Sequence, residues 1–385
     1  MPNGAKPGLP PAVPDRQPRL NPATAGAGGA IRGCAPRTRE KTAREREGAT
    51  AMTTEHRDKP LRVVGAYAAQ PDEAHERRAF LEEVLSLPGV DGLEISWGAP
   101  GWEQDAPLLA DALGSDRPNN RGGRGGHVLT LIGAAATMAA KAPSVGLASP
   151  DPDGRERAIQ LVASAREAAL DYLTRGQRIV AVELQSFPTL AQADAGLGGE
   201  ALERSLCEIL SWDWGSVAVV LEHCDARTAT LPWQKGLLPL DIEIQAVAAA
   251  AARSPTPTGM AVNWGRSAIE ERDGAAPERH VHRLRSAGLL RGVMFSGATD
   301  RDGAYGMAWS DVHPPLREQM PDSVMDRLKV AATLAAAAGS GLLYDGVKVA
   351  VRPPQTTVKD RIAAIRGTLA ALDGTSPLPL DPRAR

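Results

Sequence analysis

The chain of 385 residues is 43% apolar and 23% charged, with a net charge of −2. That is enough for one large core or two ordinary ones, and a (β/α)8 barrel of about 250 residues with insertions fits as a single domain. Residues 1–58 carry ten Lys/Arg against six Asp/Glu, which leaves −6 for the rest, and so mildly acidic a body gives no support for a nucleic-acid partner.

Three cysteines, Cys34, Cys207 and Cys224, include no CxxC pair, which argues against a disulfide framework or a zinc knuckle. No apolar run reaches the length of a membrane span and no secretory leader is visible, so a soluble protein of the reducing cytoplasm is expected. A homo-oligomer is admitted by the sequence and not specified by it.

In chain order, residues 1–58 are rich in Pro, Gly, Ala and Arg, with no aromatic residue and no sustained apolar period. Such a segment buries too little surface to offset its ordering entropy, so a disordered extension is expected, and Met52 would serve equally as a start. Residues 59–375 are expected to form the barrel and residues 376–385 a disordered tail.

From Leu61 short apolar runs alternate with amphipathic stretches. Strands are expected at 62–67, 92–96, 127–132, 179–184, 217–221, 258–263, 292–296 and 346–351. Helices are expected at 72–87, 104–114, 155–174, 200–210, 241–253, 278–287, 322–338 and 357–372. Strands that are apolar at consecutive positions, each followed by a helix, point to a parallel sheet covered by helices, and eight repeats favour closure into a barrel. The Gly/Arg-rich stretch before His127 is assigned to the rim opposite the site. Residues 298–321 after the seventh strand are too long for a plain turn and are expected to fold over the mouth.

In such a barrel the side chains at the carboxyl ends of the strands converge on one mouth. The candidates there are Tyr67, Glu94, Trp97, Thr130, Glu183, Gln185, Glu222, His223, Asp225, Asn263, Trp264, Arg266, Ser296 and Lys348. Glu183, between Val182 and Leu184, sits among residues that favour burial, which raises a carboxyl pKa. It reads as an acid/base, as a cation ligand, or as a structural carboxylate paired with a basic residue. Glu222 and His223 are adjacent, so a continuing strand points one into the mouth and the other toward the helices. His223 reads as a general base, a metal ligand or a satisfied loop histidine.

Cys224 beside two acidic residues should have a high thiol pKa, which makes a nucleophilic role unsuitable. Asn263 and Arg266 suit substrate oxygens and Trp264 suits the face of a sugar ring. Ser267 with Glu270 reads as a helix capping box. Trp97, Trp102 and Trp309 offer aromatic walls, while Trp212 and Trp214 read as packing. His313, in the loop expected to cover the mouth, is a further ligand candidate. The P-loop, HExxH, GxSxG and strand-flanked GxGxxG patterns are missing, so no nucleotide or flavin is expected.

Through AVELQS, VLEHCDA, NWGRSAIE and GVMFSG the sequence resembles a bacterial family of uncharacterised proteins, a domain of unknown function, over about Leu61 to Leu372. That family resembles the xylose-isomerase-like TIM barrels, the sugar isomerases and epimerases. The resemblance implies a divalent metal (Mn, Mg, Co or Zn) held by carboxylates and a histidine, with glutamates moving protons beside a carbonyl. On this chain Glu183 and either Glu222 or His223 match such a site. Asn263, Ser296 and Lys348 stand where further acidic or imidazole ligands are expected, so the metal set is incomplete.

The leading expectation is isomerisation or epimerisation of a carbohydrate through an enediolate. Glu183 and Glu222 form the acid/base pair, and His223 is a ligand or proton relay. Glu94, Trp97, Gln185, Asp225, Asn263, Trp264, Arg266, His313 and Lys348 surround the substrate, and the charge of Lys348 is suited to stabilise the enediolate in place of a metal. Hydrolysis between two carboxylates and non-catalytic carbohydrate binding are the alternatives.

Overall fold

The computed structural model describes residues 59–114, 125–352 and 356–374. The segments expected to be a disordered extension (1–58) and a disordered tail (376–385), and most of the Gly/Arg-rich stretch, lie outside the described residues.

Every apolar run becomes a strand: β1 (Leu61–Val64), β2 (Gly92–Ser96), β3 (His127–Thr130), β4 (Ile179–Leu184), β5 (Ala218–His223), β6 (Thr258–Asn263), β7 (Leu290–Phe295) and β8 (Tyr344–Val347). All pair in parallel in chain order, and β8 closes on β1 with Leu61 opposite Tyr344 and Val64 opposite Val347. The fold is therefore the expected closed (β/α)8 barrel.

Ten α-helices lie among the described residues: α1 (Ala74–Ser86), α2 (Trp102–Gly114), α3 (Ile132–Lys141), α4 (Pro152–Thr174), α5 (Ala195–Leu210), α6 (Leu240–Ala251), α7 (Trp264–Glu271), α8 (Ala276–Ser286), α9 (Arg327–Ala337) and α10 (Val358–Leu372). One, α3, was not expected, and α7 begins earlier than the helix start read at Ser267. None is long and apolar enough to cross a membrane.

Strand alternation divides the apolar residues into two sets. Val63, Val128, Ala181, Ala218, Val220, Ala261, Met294 and Tyr344 form one buried cluster, the filling of the barrel. Leu93, Leu129, Val182, Val219, Leu221, Val262 and Val293 belong to the larger cluster shared with the helices. Toward the carboxyl ends the inward positions turn polar, with Glu94, Thr130, Glu183, Glu222, Asn263 and Lys348 all buried.

Glycine makes room for this layer at two places. A Cβ on Gly65 would stand 2.4 Å from Glu94 Oε2 and 3.0 Å from Lys348 Cβ, and one on Gly292 would stand 2.3 Å from the Tyr344 ring.

The long segment after β7 runs to α9, whose first residue, Arg327, is later than the sequence pattern suggested. It is tied down at several points: Gly297 N donates to Pro314 O at 3.0 Å, and Ala350 N donates to His313 O at 2.7 Å. Asp311 reaches across to Lys235 in the loop after β5 and to Arg266 in α7.

Candidate active site at the barrel mouth

Three carboxyls and one ammonium meet inside the mouth. Lys348 follows β8, and its Nζ lies 2.9 Å from Glu94 Oε1, 3.0 Å from Tyr67 Oη and 3.5 Å from Glu222 Oε1. Glu222 also accepts from Asn263 Nδ2 at 2.9 Å and from Gln185 Nε2 at 3.0 Å. Ser296 Oγ donates to Asn263 Oδ1 at 2.7 Å, which turns the Asn263 amide nitrogen toward the carboxylate. Glu183, the neighbour on β4, receives the Tyr344 hydroxyl at 2.5 Å on Oε1. Among the described residues no hydroxyl, amide or basic group reaches Glu183 Oε2 or Glu94 Oε2.

These surroundings separate the acids. Burial lifts Glu183 well above the ordinary carboxyl range, the charges of Glu222 and Glu94 add to it, and Lys348 and the Tyr344 bond only partly oppose. Burial also pushes Glu222 upward, but Lys348, Arg266, Asn263 and Gln185 together outweigh it and leave the pKa lowered. Glu94 is raised by burial, against the pull of Lys348 and with the charge of Glu222 adding to the rise. For Lys348, burial disfavours the charge, but Glu222 and Glu94 overcome it and raise the pKa well above the usual value. The surroundings therefore favour Glu183 as an acid, Glu222 as a carboxylate and Lys348 as an ammonium.

His223 is not part of it. The last residue of β5 points into the helix layer, where Nδ1 lies 2.6 Å from Glu243 of α6 and Nε2 lies 2.9 Å from Glu270 of α7. Burial alone would favour the neutral ring, yet Glu243 and Glu270 raise its pKa to about 10. This corrects two expectations. His223 does not join the pair Glu183/Glu222 as a shared ligand or relay, because strand alternation turns it away from Glu222. Glu270 does not cap Ser267: α7 begins earlier, at a cap formed by Asn263 accepting from Arg266 N, and Glu270 binds His223 and Ala226 N instead.

The early start of α7 also removes Trp264 from the mouth. Its ring is buried against α9, with Nε1 donating to Thr333 Oγ1 at 3.2 Å, so it cannot stack on a substrate. Asp225 is likewise committed to the loop: Oδ2 accepts from the backbone of Gln234 and Lys235 at 2.6 and 2.7 Å. Arg266 is buried at the rim, with Nη2 2.6 Å from Asp311 and Nη1 3.6 Å from Asp225.

His313, with φ 52°, stands 3.4 Å from Asp311. Burial, more than Arg266 and Lys348, lowers its pKa to about 4, so the ring is neutral near pH 7. Trp97 packs on Trp102 with ring centroids 6.3 Å apart. Beside it an open cleft with a cavity volume of about 210 Å³ is lined by Tyr67, Arg77, Glu94, Ser96, Trp102 and Asp105. Cys224 is fully buried, and burial first, then Glu222, pushes its thiol pKa well up.

Two groups of side chains bring possible cation ligands together, Glu94 with Glu183 and Glu222, and His223 with Glu270 and His280. In the first, ligand oxygens lie within 4.8 Å of one another. Lys348 is already bound to two of these carboxylates, however, and a charge of +2 facing +1 at about 4 Å costs roughly 8 kcal/mol at an effective dielectric of 20. In the second, both nitrogens of His223 are engaged by Glu243 and Glu270. The first group as arranged, with the ammonium bound to its carboxylates, does not fit a divalent metal.

The sequence matches a domain of unknown function (DUF4862) over residues 63–364. The chain belongs to that family. The uncharacterized protein STM3670 of Salmonella typhimurium is 31% identical over 310 residues, which is 79% of this chain and 94% of that protein. Among solved structures, a "Putative Xylose isomerase" from Rhodospirillum rubrum superposes with a TM-score of 0.52 at 15% identity, over 83% of this chain and 99% of its own. A D-psicose 3-epimerase superposes at 0.44 with 13% identity, over 83% and 96% of the two chains. The first likeness shows the fold, a xylose isomerase-like TIM barrel, and the second adds nothing to it.

Four residues around the mouth escaped the sequence reading. Tyr344 lies two residues before the expected start of β8, Asp311 in the long loop carries no motif, and Arg77 and Asp105, an ion pair beside the cleft, belong to helices. Only Tyr344 had a usable signal, because it extends the period-two pattern of Gly346 and Lys348.

Proposed function

We propose that the mouth moves protons on a small carbohydrate, isomerising or epimerising a sugar or sugar derivative through an enediolate. The observation that carries this reading is the pair of buried glutamates on neighbouring strands whose surroundings push their pKa values apart, upward for Glu183 and downward for Glu222. Glu222, as the carboxylate, takes the proton from the carbon beside the carbonyl. Glu183, as the acid, gives a proton to the oxygen on which charge develops. Asn263 and Lys348 hold substrate oxygens near Glu222, and the cleft beside Tyr67 and Trp102 admits the sugar. The "Putative Xylose isomerase" of Rhodospirillum rubrum has the same fold.

Incubation with a panel of aldoses, ketoses and sugar acids in deuterated water tests the reading. Wild type should introduce deuterium beside the carbonyl of at least one sugar, and Glu183→Gln and Glu222→Gln should slow the exchange by about a hundredfold or more. Absence of exchange with every sugar, with and without added divalent cations, contradicts it.

A second reading is hydrolysis of a glycoside between two neighbouring carboxyls, since carboxyl oxygens of Glu183 and Glu222 lie within 4.8 Å of each other. Release of reducing sugar from a glycoside, without deuterium exchange, would select it.

A further inference from the structure

The xylose isomerase-like fold implies a divalent cation at the mouth, whereas this chain puts an amine among the carboxylates. Lys348 is 1% exposed, although its side chain is among the largest that are fully buried. Its ammonium touches Glu94, Tyr67 and Glu222, and its charge comes from the end of strand β8 rather than from solution. The packing around it is specific: Gly65 leaves no side chain where Glu94 Oε2 and the first carbons of Lys348 pass, 2.4 and 3.0 Å from a Cβ placed there. A long cation is accommodated by the backbone itself. A buried carboxylate cluster needs a positive charge, and the chain supplies one covalently.

We infer that Lys348 occupies the position of a catalytic cation, so that the three glutamates form a latent divalent-metal site that the ammonium keeps closed. Three carboxyls with ligand oxygens within 4.8 Å are a hard-oxygen set of the kind that Mn²⁺ and Mg²⁺ take, and the ammonium is what stands against such an ion. In a proton-transfer reaction the same ammonium offsets the charge that grows on the enediolate oxygen, the part a metal would otherwise play. This extends the proposed isomerase or epimerase reading, but the occupancy of the site stands independently of it. The protons balance in two halves: Glu222 gains the carbon-bound proton while the substrate oxygen gains that of Glu183, then Glu222 returns a proton to a carbon of the enediol while Glu183 recovers one from an enediol hydroxyl, and Lys348 exchanges none.

Mn²⁺ binding, followed by calorimetry or electron paramagnetic resonance on protein freed of metals, tests the inference without any turnover. Wild type should bind no Mn²⁺ that depends on Glu222. Lys348→Met, which keeps much of the length and loses the charge, should bind one ion per chain at least about a hundredfold more tightly, and the added change Glu222→Gln should abolish that gain. Should Lys348→Met fold poorly because three acids are left without a counter-charge, thermal stabilisation by Mn²⁺, absent in wild type, supports the inference equally.

One Mn²⁺ per wild-type chain, lost in Glu222→Gln, overturns it, as does a folded Lys348→Met protein that gains no site. If wild type takes no Mn²⁺ and also exchanges no deuterium, the proton-transfer reading fails while the assignment of Lys348 stands. Exchange that requires Mn²⁺ bound at Glu222 overturns the assignment of Lys348 and leaves the proton-transfer reading standing.

Discussion

Glu183 and Glu222 are the same residue type on adjacent strands, and what each oxygen accepts separates them. Glu222 receives an amide from Asn263, another from Gln185 and the ammonium of Lys348, whereas Glu183 receives the Tyr344 hydroxyl alone. Tyr344→Phe should therefore leave a buried carboxyl oxygen without its donor, at a cost of about 1–3 kcal/mol in urea unfolding, and should push Glu183 further upward, because the hydroxyl bond now holds it down. Gly292→Ala acts on the same ring from the other side. The added methyl meets the Tyr344 ring at 2.3 Å, and overpacking of this kind costs about 1–3 kcal/mol. Unchanged stability in both variants would show that Tyr344 does not fix Glu183.

At the scale of the element, the end of β5 is held from both sides. Glu222 faces the barrel, and His223, the next residue, anchors the strand to α6 and α7 through Glu243 and Glu270. His223 keeps its proton to about pH 10 when folded, against 6.5 for the ordinary side chain. Between these values the folded state binds one more proton than the unfolded chain, so the contribution to stability is complete below pH 6.5 and is lost as the pH rises through about 10. Its size is on the order of 4–5 kcal/mol. Unfolding free energies of wild type should fall across this window by about that amount more than those of His223→Gln, and parallel profiles would contradict the account.

The same strand shows what the sequence could tell. Period-two alternation established that Glu222 and His223 diverge, and a run ending in polar residues located the rim. Which of the two faced inward required the barrel's parity, and the partners Glu243 and Glu270 lie 20 and 47 residues away. The S-x-x-E pattern at Ser267 was misleading for a related reason. Asn263 had already begun α7, and this turned Trp264 outward and freed Glu270 for His223. Local capping rules are weaker than the contacts that a neighbouring strand imposes.

For the whole molecule, the barrel was legible because most strand residues are buried on both faces, which leaves consecutive apolar residues in β4, β5 and β6. The mouth was legible strand by strand, but its charge balance was not, since Lys348 meets Glu94 across 254 residues and Glu222 across 126. That balance is the central claim: at neutral pH the barrel holds Glu183 as an acid beside Glu222 as a carboxylate. Infrared difference spectra at pH 7 of wild type against Glu183→Gln and against Glu222→Gln test it directly. A protonated-carboxyl band that disappears in Glu183→Gln and survives in Glu222→Gln is the result expected. Spectra in which Glu183→Gln removes only a carboxylate band would contradict it.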